Sequence, residues 1–347
     1  MTTMEPVVEA GYAGGPLLSA RNLNAEYAGP RGHGVMAVDD VSLSIRDGEV
    51  LGVAGESGCG KSTLGAVLSL TARPPLYVLG GELEIAGKRL SFEPDQAPPR
   101  SWRGSVVSLL PQGAMNSLSP TLRIGTFAQD IIRAHEPDVS RREALDRAAE
   151  RLEQLDLPAR VLSSYPHQLS GGMKQRVVTV LSTLLNPRLL IADEPTSALD
   201  VSTQKVLIEL LNELLARKLV GSIIFITHDL PVLRLIAHRI AVMYAGQIIE
   251  IGETEEIINR AHHPYTAALL SSVLVPEPQI RHRRISGIRG APPDLADPPS
   301  GCRFHPRCSL AMDVCATTAP PQVGDWRQFA SCWWVRDHEG EPVGSKL

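Results

Sequence analysis

The chain contains no run of eighteen apolar residues, so no part of it is expected to span a bilayer alone. It carries no positive excess. Against 34 Lys and Arg stand 38 Asp and Glu, a net charge of −4, so no basic field points to nucleic acid as a partner. The opening MTTMEPVVEAGYAGGPLLSA lacks the basic start and apolar centre of a signal peptide, and residues 1–19 are expected to form a disordered tail on a cytoplasmic protein. No internal repeat is visible. Cysteine is scarce at five, and four of the five (Cys302, Cys308, Cys315 and Cys332) crowd near the C-terminus. In a cytoplasmic protein that crowding favours metal ligation over disulfides. At 347 residues the chain can bury a full core and exceeds one average domain.

What is present is a complete phosphate-binding pattern. Residues 55–63 read GESGCGKST, in which Gly55, Gly60, Lys61 and Ser62 occupy the required places. The glycines let the backbone bend so that the N–H groups around Ser57 and Gly58 can turn inward on phosphate oxygens. Lys61 is placed to reach the outer phosphates, and Ser62 to offer its hydroxyl to Mg²⁺. Apolar EVLGVA (Glu49 to Ala54) precedes the loop as a buried strand, and a helix over Ser62 to Leu70 follows it. The helix N-terminus then adds positive potential to the anion site.

The rest of the chain alternates strand and helix signals. AVDDVSLSI (Ala37 to Ile45) meets the turn Arg46-Asp47-Gly48 and reads as one arm of a hairpin. Pro-rich Ser91 to Arg103 reads as a surface connection. Ser140 and Glu143 form a capping box before a helix bearing Leu145, Ala149, Leu152 and Leu155 on one face, within a helical insertion of about 114–184. LLIAD (Leu189 to Asp193) and SIIFIT (Ser222 to Thr227), with a helix over Ser202 to Lys218 between them, indicate parallel strands covered on both faces. IAVMYAGQIIEIG (Ile240 to Gly252) reads as an antiparallel hairpin. Beyond Pro276 the composition shifts to Pro, Arg and Cys, as in a separate appendage.

Two further features carry chemistry. LLIADE delivers Asp193 and Glu194 at the end of an apolar strand, suited to holding a metal and polarising a water. Alone it is an ordinary strand followed by an acid; the upstream loop decides. LSGGMKQR (Leu169 to Arg176) opens a helix with a Ser-Gly-Gly turn, a second anion site that a nucleotide on Lys61 does not need.

In this order the motifs resemble the nucleotide-binding subunit of ABC (ATP-binding cassette) transporters, over roughly residues 20–275. LSGGMKQR resembles the family signature, with Met173 where Gln is commoner. Gln112 in LLPQG resembles the Q-loop, Ser197 to Asp200 (SALD) the D-loop, and His228 in ITHD the switch histidine. Tyr27 stands where an aromatic stacks on adenine. The resemblance implies an α/β P-loop NTPase fold: a mostly parallel sheet core, an antiparallel β subdomain and a helical subdomain. It also implies an ATPase using ATP and Mg²⁺. Gly55, Ser57, Gly58, Gly60, Lys61, Ser62 and Thr63 would hold phosphate, and Ser62, Gln112 and Asp193 would hold Mg²⁺. Glu194, Gln112 and His228 would serve turnover. Ser170, Gly171, Gly172 and Asp200 would serve the ATP of a second cassette subunit in a head-to-tail pair.

HPYT, PPSGC and FHPRC, spread over His263 to Cys308, resemble the C-terminal extension of oligopeptide/dipeptide importer ATPases, a branch that includes nickel and oligosaccharide importers. Residues 276–347 are thus expected to form a Cys-rich extension. The resemblance implies two transmembrane permease subunits, a second ATPase subunit, either a different polypeptide as is usual in the branch or a second copy, and an extracytoplasmic solute-binding protein. It places the chain peripherally on the cytoplasmic face of the inner membrane. No residue here selects the solute. Cys302, Cys308, Cys315 and Cys332 are separated by five, six and sixteen residues, unlike the paired knuckles of most zinc sites. Four soft thiolates suit a 4Fe-4S cluster, as some relatives carry, or zinc, or remain metal-free; His305 beside them is expected to pack rather than ligate. A soluble ABC ATPase of translation or repair would usually have two cassettes or a coiled coil. A non-hydrolysing regulator would be expected to lack Glu194 or His228.

Overall fold

The computed structural model describes residues 15–29, 34–93, 97–114, 117–197, 199–272, 287–338 and 340–343. The tail expected over 1–19 lies outside these as far as residue 14, and the boundary near Pro276 also lies outside them. Within the described residues the expectation fails: Leu17 and Leu18 are buried, and the first strand begins at Leu18.

The strands are β1 (Leu18–Tyr27), β2 (Val35–Ile45), β3 (Val50–Ala54), β4 (Leu76–Ile85), β5 (Lys88–Ser91), β6 (Val107–Leu110), β7 (Leu189–Asp193), β8 (Ser222–Ile226), β9 (Arg239–Tyr244), β10 (Gln247–Glu253), β11 (Gln322–Gly324) and β12 (Phe329–Ser331). They form an antiparallel sheet ordered β2-β1-β4-β5 and a larger one ordered β11-β12-β10-β9-β3-β8-β7-β6. From β9 to β6 the larger sheet is parallel. Every residue of β3, β7 and β8 is buried, as expected of strands covered on both faces.

Register brings the C-terminal ends of the central strands level. Val53 pairs with Ile226, Asp193 with Ile226, and Leu110 with Ala192. The loops leaving these ends therefore converge on one rim, where open parallel sheets bind ligands.

Three sequence expectations need correction. AVDDVSLSI lies within β2, but β2 pairs with β1, Leu18 opposite Ile45. The turn Arg46-Asp47-Gly48 closes no hairpin; it carries the chain to β3 in the other sheet. Apolar VLGVA suits a doubly covered strand, while β2 belongs to a sheet packed on one side. In the helix Arg141–Gln154, Ser140 accepts the Glu143 N–H at 3.1 Å as a cap. Its buried side, however, is Ala144, Ala148, Arg151 and Leu152 rather than Leu145 and Ala149. Arg151 is tolerated there because its guanidinium donates to the Thr183 carbonyl and to Asn186 Oδ1.

The third concerns the extension, which is no separate appendage. β12 joins β10, with Ile251 opposite Phe329, so the extension widens the core sheet. Phe304 lies in the central core, edge-on to Tyr244 and Tyr265 at 5.3 Å each. Arg239, 1% exposed, pairs with Glu49 at 3.0 Å and donates to the carbonyls of Trp326 and Arg327. A polar-looking tail docks because an apolar ring and a buried cation find partners in it. The other expectations correspond to observed elements: the β9–β10 hairpin, the parallel strands β7 and β8, and the insertion helices Ile124–His135, Arg141–Gln154 and Gly171–Ser182.

Candidate functional site

The phosphate loop leaves β3 and enters the helix Lys61–Leu68. Glycine is required at its two ends. Gly55 has φ 149°, and a Cβ there would meet the Met243 carbonyl oxygen at 2.2 Å. Gly60 has φ 106°, and a Cβ would meet the Ala37 carbonyl oxygen at 2.1 Å. Lys61, 5% exposed, folds back over its own loop. Its ammonium donates to the Gly55 carbonyl at 2.8 Å and the Glu56 carbonyl at 2.9 Å, leaving one proton with only Cys59 Sγ at 3.8 Å. A strong donor is thus parked in the cradle.

Around this loop gathers a cleft of ≈ 420 Å³. Ser57, Gly58, Gly60, Lys61, Ser62 and Thr63 line it, together with Tyr27, Gln112, Glu194 and His228. At the mouth, the half-exposed Tyr27 holds its hydroxyl 3.2 Å from Thr63 Oγ1. Beneath the loop, Ser62 donates to Asp193 Oδ1 at 3.0 Å. Burial pushes the Asp193 carboxyl up, the Ser62 hydrogen bond opposes this, and neighbouring Glu194 adds to it. These two oxygens are hard donors of the kind Mg²⁺ accepts from protein, the remaining places being taken by phosphate and water.

Glu194 turns sharply off the end of β7 at φ 46°. Its carboxylate is held on both sides: Gln112 Nε2 donates to Oε2 at 2.9 Å, and His228 Nδ1 lies 3.2 Å from Oε1. Gln112 follows β6 and His228 follows β8, so three neighbouring strands deliver a Gln–Glu–His row beside the phosphate loop. Such a row can orient a water and take its proton.

Gly55 and Asp193 adjoin the cleft without lining it, and Ser170, Gly171, Gly172 and Asp200 stand outside it. Ser170 caps the helix Gly171–Ser182, accepting the Met173 N–H at 3.3 Å, and a Cβ on Gly171 would meet nothing within 4 Å. This helix start is open at Gly171, while a Cβ on Gly172 would meet Thr203 Cγ2 at 3.2 Å. Asp200 caps the helix Val201–Ala216, accepting the Thr203 N–H at 2.9 Å and both the Ser202 and Thr203 hydroxyls, which draw its carboxyl down to about 2. The helix Gly171–Ser182 is nevertheless tied to the segment after Glu194, since buried Gln175 donates to the Pro195 carbonyl.

The four C-terminal cysteines lie near one another: burial first, and then the charge each thiolate would feel from the others, hold Cys302, Cys308 and Cys332 in the thiol form. Burial pushes Cys302 up to about 11 and Cys308 up to about 12. Among the described residues no three His, Cys, Asp or Glu side chains converge tightly enough to hold one metal ion. His305 Nδ1 lies 2.9 Å from the Cys302 carbonyl oxygen, a packing role.

Sequence reasoning missed Leu295, Val35 and Ala37, which also line the cleft. It also missed Glu56, whose N–H donates to the Tyr265 hydroxyl and whose carboxylate binds Arg307. Tyr265 and Arg307 lie in the HPYT and FHPRC motifs, which marked a branch without suggesting a contact.

Comparison with known proteins agrees with this geometry. Residues 38–197 match the ABC transporter family, and residues 249–315 match the oligopeptide/dipeptide transporter C-terminal region. The chain is 40% identical over 329 residues to the dipeptide transport ATP-binding protein DppD of Caldanaerobacter subterraneus, covering 94% of this chain and 99% of that protein. It is 39% identical to the oligopeptide transport ATP-binding protein OppF of Escherichia coli, covering 85% and 87% of the two chains. It is 41% identical to OppD of Bacillus subtilis, covering 83% and 80%. Among solved structures it resembles the dimeric MJ0796, a bacterial ABC transporter cassette, with TM-score 0.58 and 26% identity over 68% of this chain and 98% of that one. A post-hydrolysis MJ0796 dimer bound to ADP and Pi matches with the same figures.

Proposed function

The chain belongs to the ABC transporter family, as an ATP-hydrolysing subunit of its oligopeptide/dipeptide importer branch, and we propose how its residues share that work. Lys61 and the N–H groups of the phosphate loop hold the outer phosphates of ATP. Ser62 and Asp193, with Gln112 nearby, would hold Mg²⁺, which would supply positive charge to the phosphates. Glu194 takes a proton from the attacking water as the water oxygen bonds to the γ-phosphorus. The bond to the β,γ-bridging oxygen breaks, giving ADP and phosphate. Gln112 orients the Glu194 carboxylate, and His228 steadies it and the γ-phosphate. Tyr27 stacks on the base. The observation that carries this reading is the Glu194 carboxylate held between Gln112 and His228 beside the Ser62–Asp193 pair.

Ser170, Gly171 and Gly172, capped but unoccupied by their own chain's site, serve the ATP of a second cassette, with Asp200 at the same seam. Two ATP molecules close the pair, and loss of γ-phosphate releases it. The described helices include none long and apolar enough to cross a membrane. We assign the chain a peripheral place on the cytoplasmic face of the inner membrane, against two permease subunits fed by a solute-binding protein. Its cassette spans about 20–275, with the helical subdomain about 114–184 meeting the permease. The peptide-transport names of its relatives support di- or oligopeptides over nickel or oligosaccharide as cargo. Near full-length likeness to importer subunits supports transport over a soluble ABC ATPase.

Reconstituted with its permease subunits and solute-binding protein in liposomes, the chain is expected to hydrolyse ATP faster when peptide is supplied and to drive peptide uptake. Hydrolysis indifferent to peptide, with no uptake, would reject the cargo assignment.

The four cysteines are a soft donor set, and we read them as the holder of a 4Fe-4S cluster in preference to zinc. Anaerobically purified protein is expected to absorb near 400 nm in proportion to bound iron and sulfide. Colourless protein with stoichiometric zinc, or no metal, would refute this.

A further inference from the structure

The extension does more than dock. Glu56, the second residue of the phosphate loop, is anchored through every polar group it has. Its carbonyl accepts Lys61 Nζ at 2.9 Å, and its N–H donates to the Tyr265 hydroxyl at 2.8 Å. Its carboxylate takes both arms of Arg307, Nη1 to Oε2 at 2.6 Å and Nη2 to Oε1 at 3.0 Å.

Arg307 is saturated in turn. Nε donates to the Arg289 carbonyl, Nη1 also to the Tyr244 hydroxyl, and Nη2 also to the Gly290 carbonyl. All five guanidinium protons are thus used, and the side chain is 6% exposed. A forked, planar cation so held fixes the carboxylate in direction as well as distance. Arg307 and Glu56 stand 251 residues apart in sequence, yet one is the neighbour of Cys308 and the other of the phosphate-binding turn.

We propose that Arg307, from the C-terminal extension, is a positioning residue for nucleotide binding. Through Glu56 it holds the phosphate loop, and with it Lys61, in the shape that receives phosphate. Tyr265 secures the same residue from the backbone side. The proposal rests on the nucleotide site assigned above. It makes the extension a structural part of that site, so a disturbance around Cys308 is felt at the phosphates.

The test measures binding of a fluorescent ATP analogue with Mg²⁺, and KM and kcat for ATP, on the full chain. Arg307→Ala is expected to weaken binding roughly tenfold or more, the loss of charge-assisted hydrogen bonds, and to raise KM more than it lowers kcat. Arg307→Lys should restore part of the affinity. The control is Arg303→Ala, which removes another contact of the same extension, to Asp39 and the Ala245 carbonyl. It should leave affinity unchanged. Wild-type affinity in Arg307→Ala, or an equal loss in Arg303→Ala, would overturn the proposal. Should Arg307→Ala fail to fold, Glu56→Gln removes the same ion pair; it is expected to bind several-fold more weakly, and unchanged binding there would overturn the proposal equally. Failure of the unaltered chain to bind nucleotide would instead reject the site itself.

Discussion

Glu194→Gln is expected to bind ATP as tightly as the unaltered chain and to lose about a hundredfold to ten-thousandfold in turnover, the range a general base supplies. The substitution suits the site because the amide can keep both neighbours. Its oxygen can accept from Gln112 Nε2, now 2.9 Å from Oε2, and its nitrogen can donate to an unprotonated His228 Nδ1. The row stays in place while the proton acceptor is gone. With γ-phosphate no longer removed, the closed pair of cassettes should accumulate as an ATP-dependent dimer. Size-exclusion chromatography with and without ATP, alongside phosphate release, measures both consequences. Near-normal phosphate release would show that another group accepts the proton.

Lys61→Met is expected to do the opposite and fail at binding. The ammonium now divides its protons between the Gly55 and Glu56 carbonyls and can redirect them to phosphate oxygens when these arrive. Two charge-assisted hydrogen bonds of about 1.5–3 kcal/mol each amount to a hundredfold or more in affinity. Met fills the buried volume, so folding itself should change little. The check is thermal unfolding with and without Mg-ATP. The unaltered chain should gain several degrees from ligand, and the variant almost none. An undiminished ligand-induced shift would remove Lys61 from the site.

The site was legible where its parts are local or lie at the ends of strands. GESGCGKST needs only its own backbone, and the glycines at 55 and 60 stand where two carbonyl oxygens leave no room for a side chain. Gln112, Glu194 and His228 each follow an apolar strand, and adjacent parallel strands bring their ends to one rim regardless of their separation in sequence. Choice of partner was less visible. Nothing in Arg46-Asp47-Gly48 tells whether the next strand folds back or crosses to another sheet, because that depends on which surface needs β3. Arg307 was likewise noticed only as part of a motif. A guanidinium can meet any carboxylate, and what aims this one at Glu56 is the folded surround of Tyr244 and the Arg289 and Gly290 carbonyls. Ser170 to Gly172 make no part of the cleft, and nothing in one chain's geometry shows what a sequence motif there would serve.

The junction of β12 with β10 also bears on how this protein avoids its own kind. Were the chain to stop before residue 287, β10 would end the large sheet with a bare row of N–H and C=O groups, a template for strands of other molecules. As built, the sheet ends instead at β11, only Gln322 to Gly324 long and entered through Pro320-Pro321. Short length and proline are both obstacles to further strand addition. The cysteine-bearing segment therefore also closes one of the two edges of the large sheet, replacing the longer β10 edge with a short one that is harder to extend.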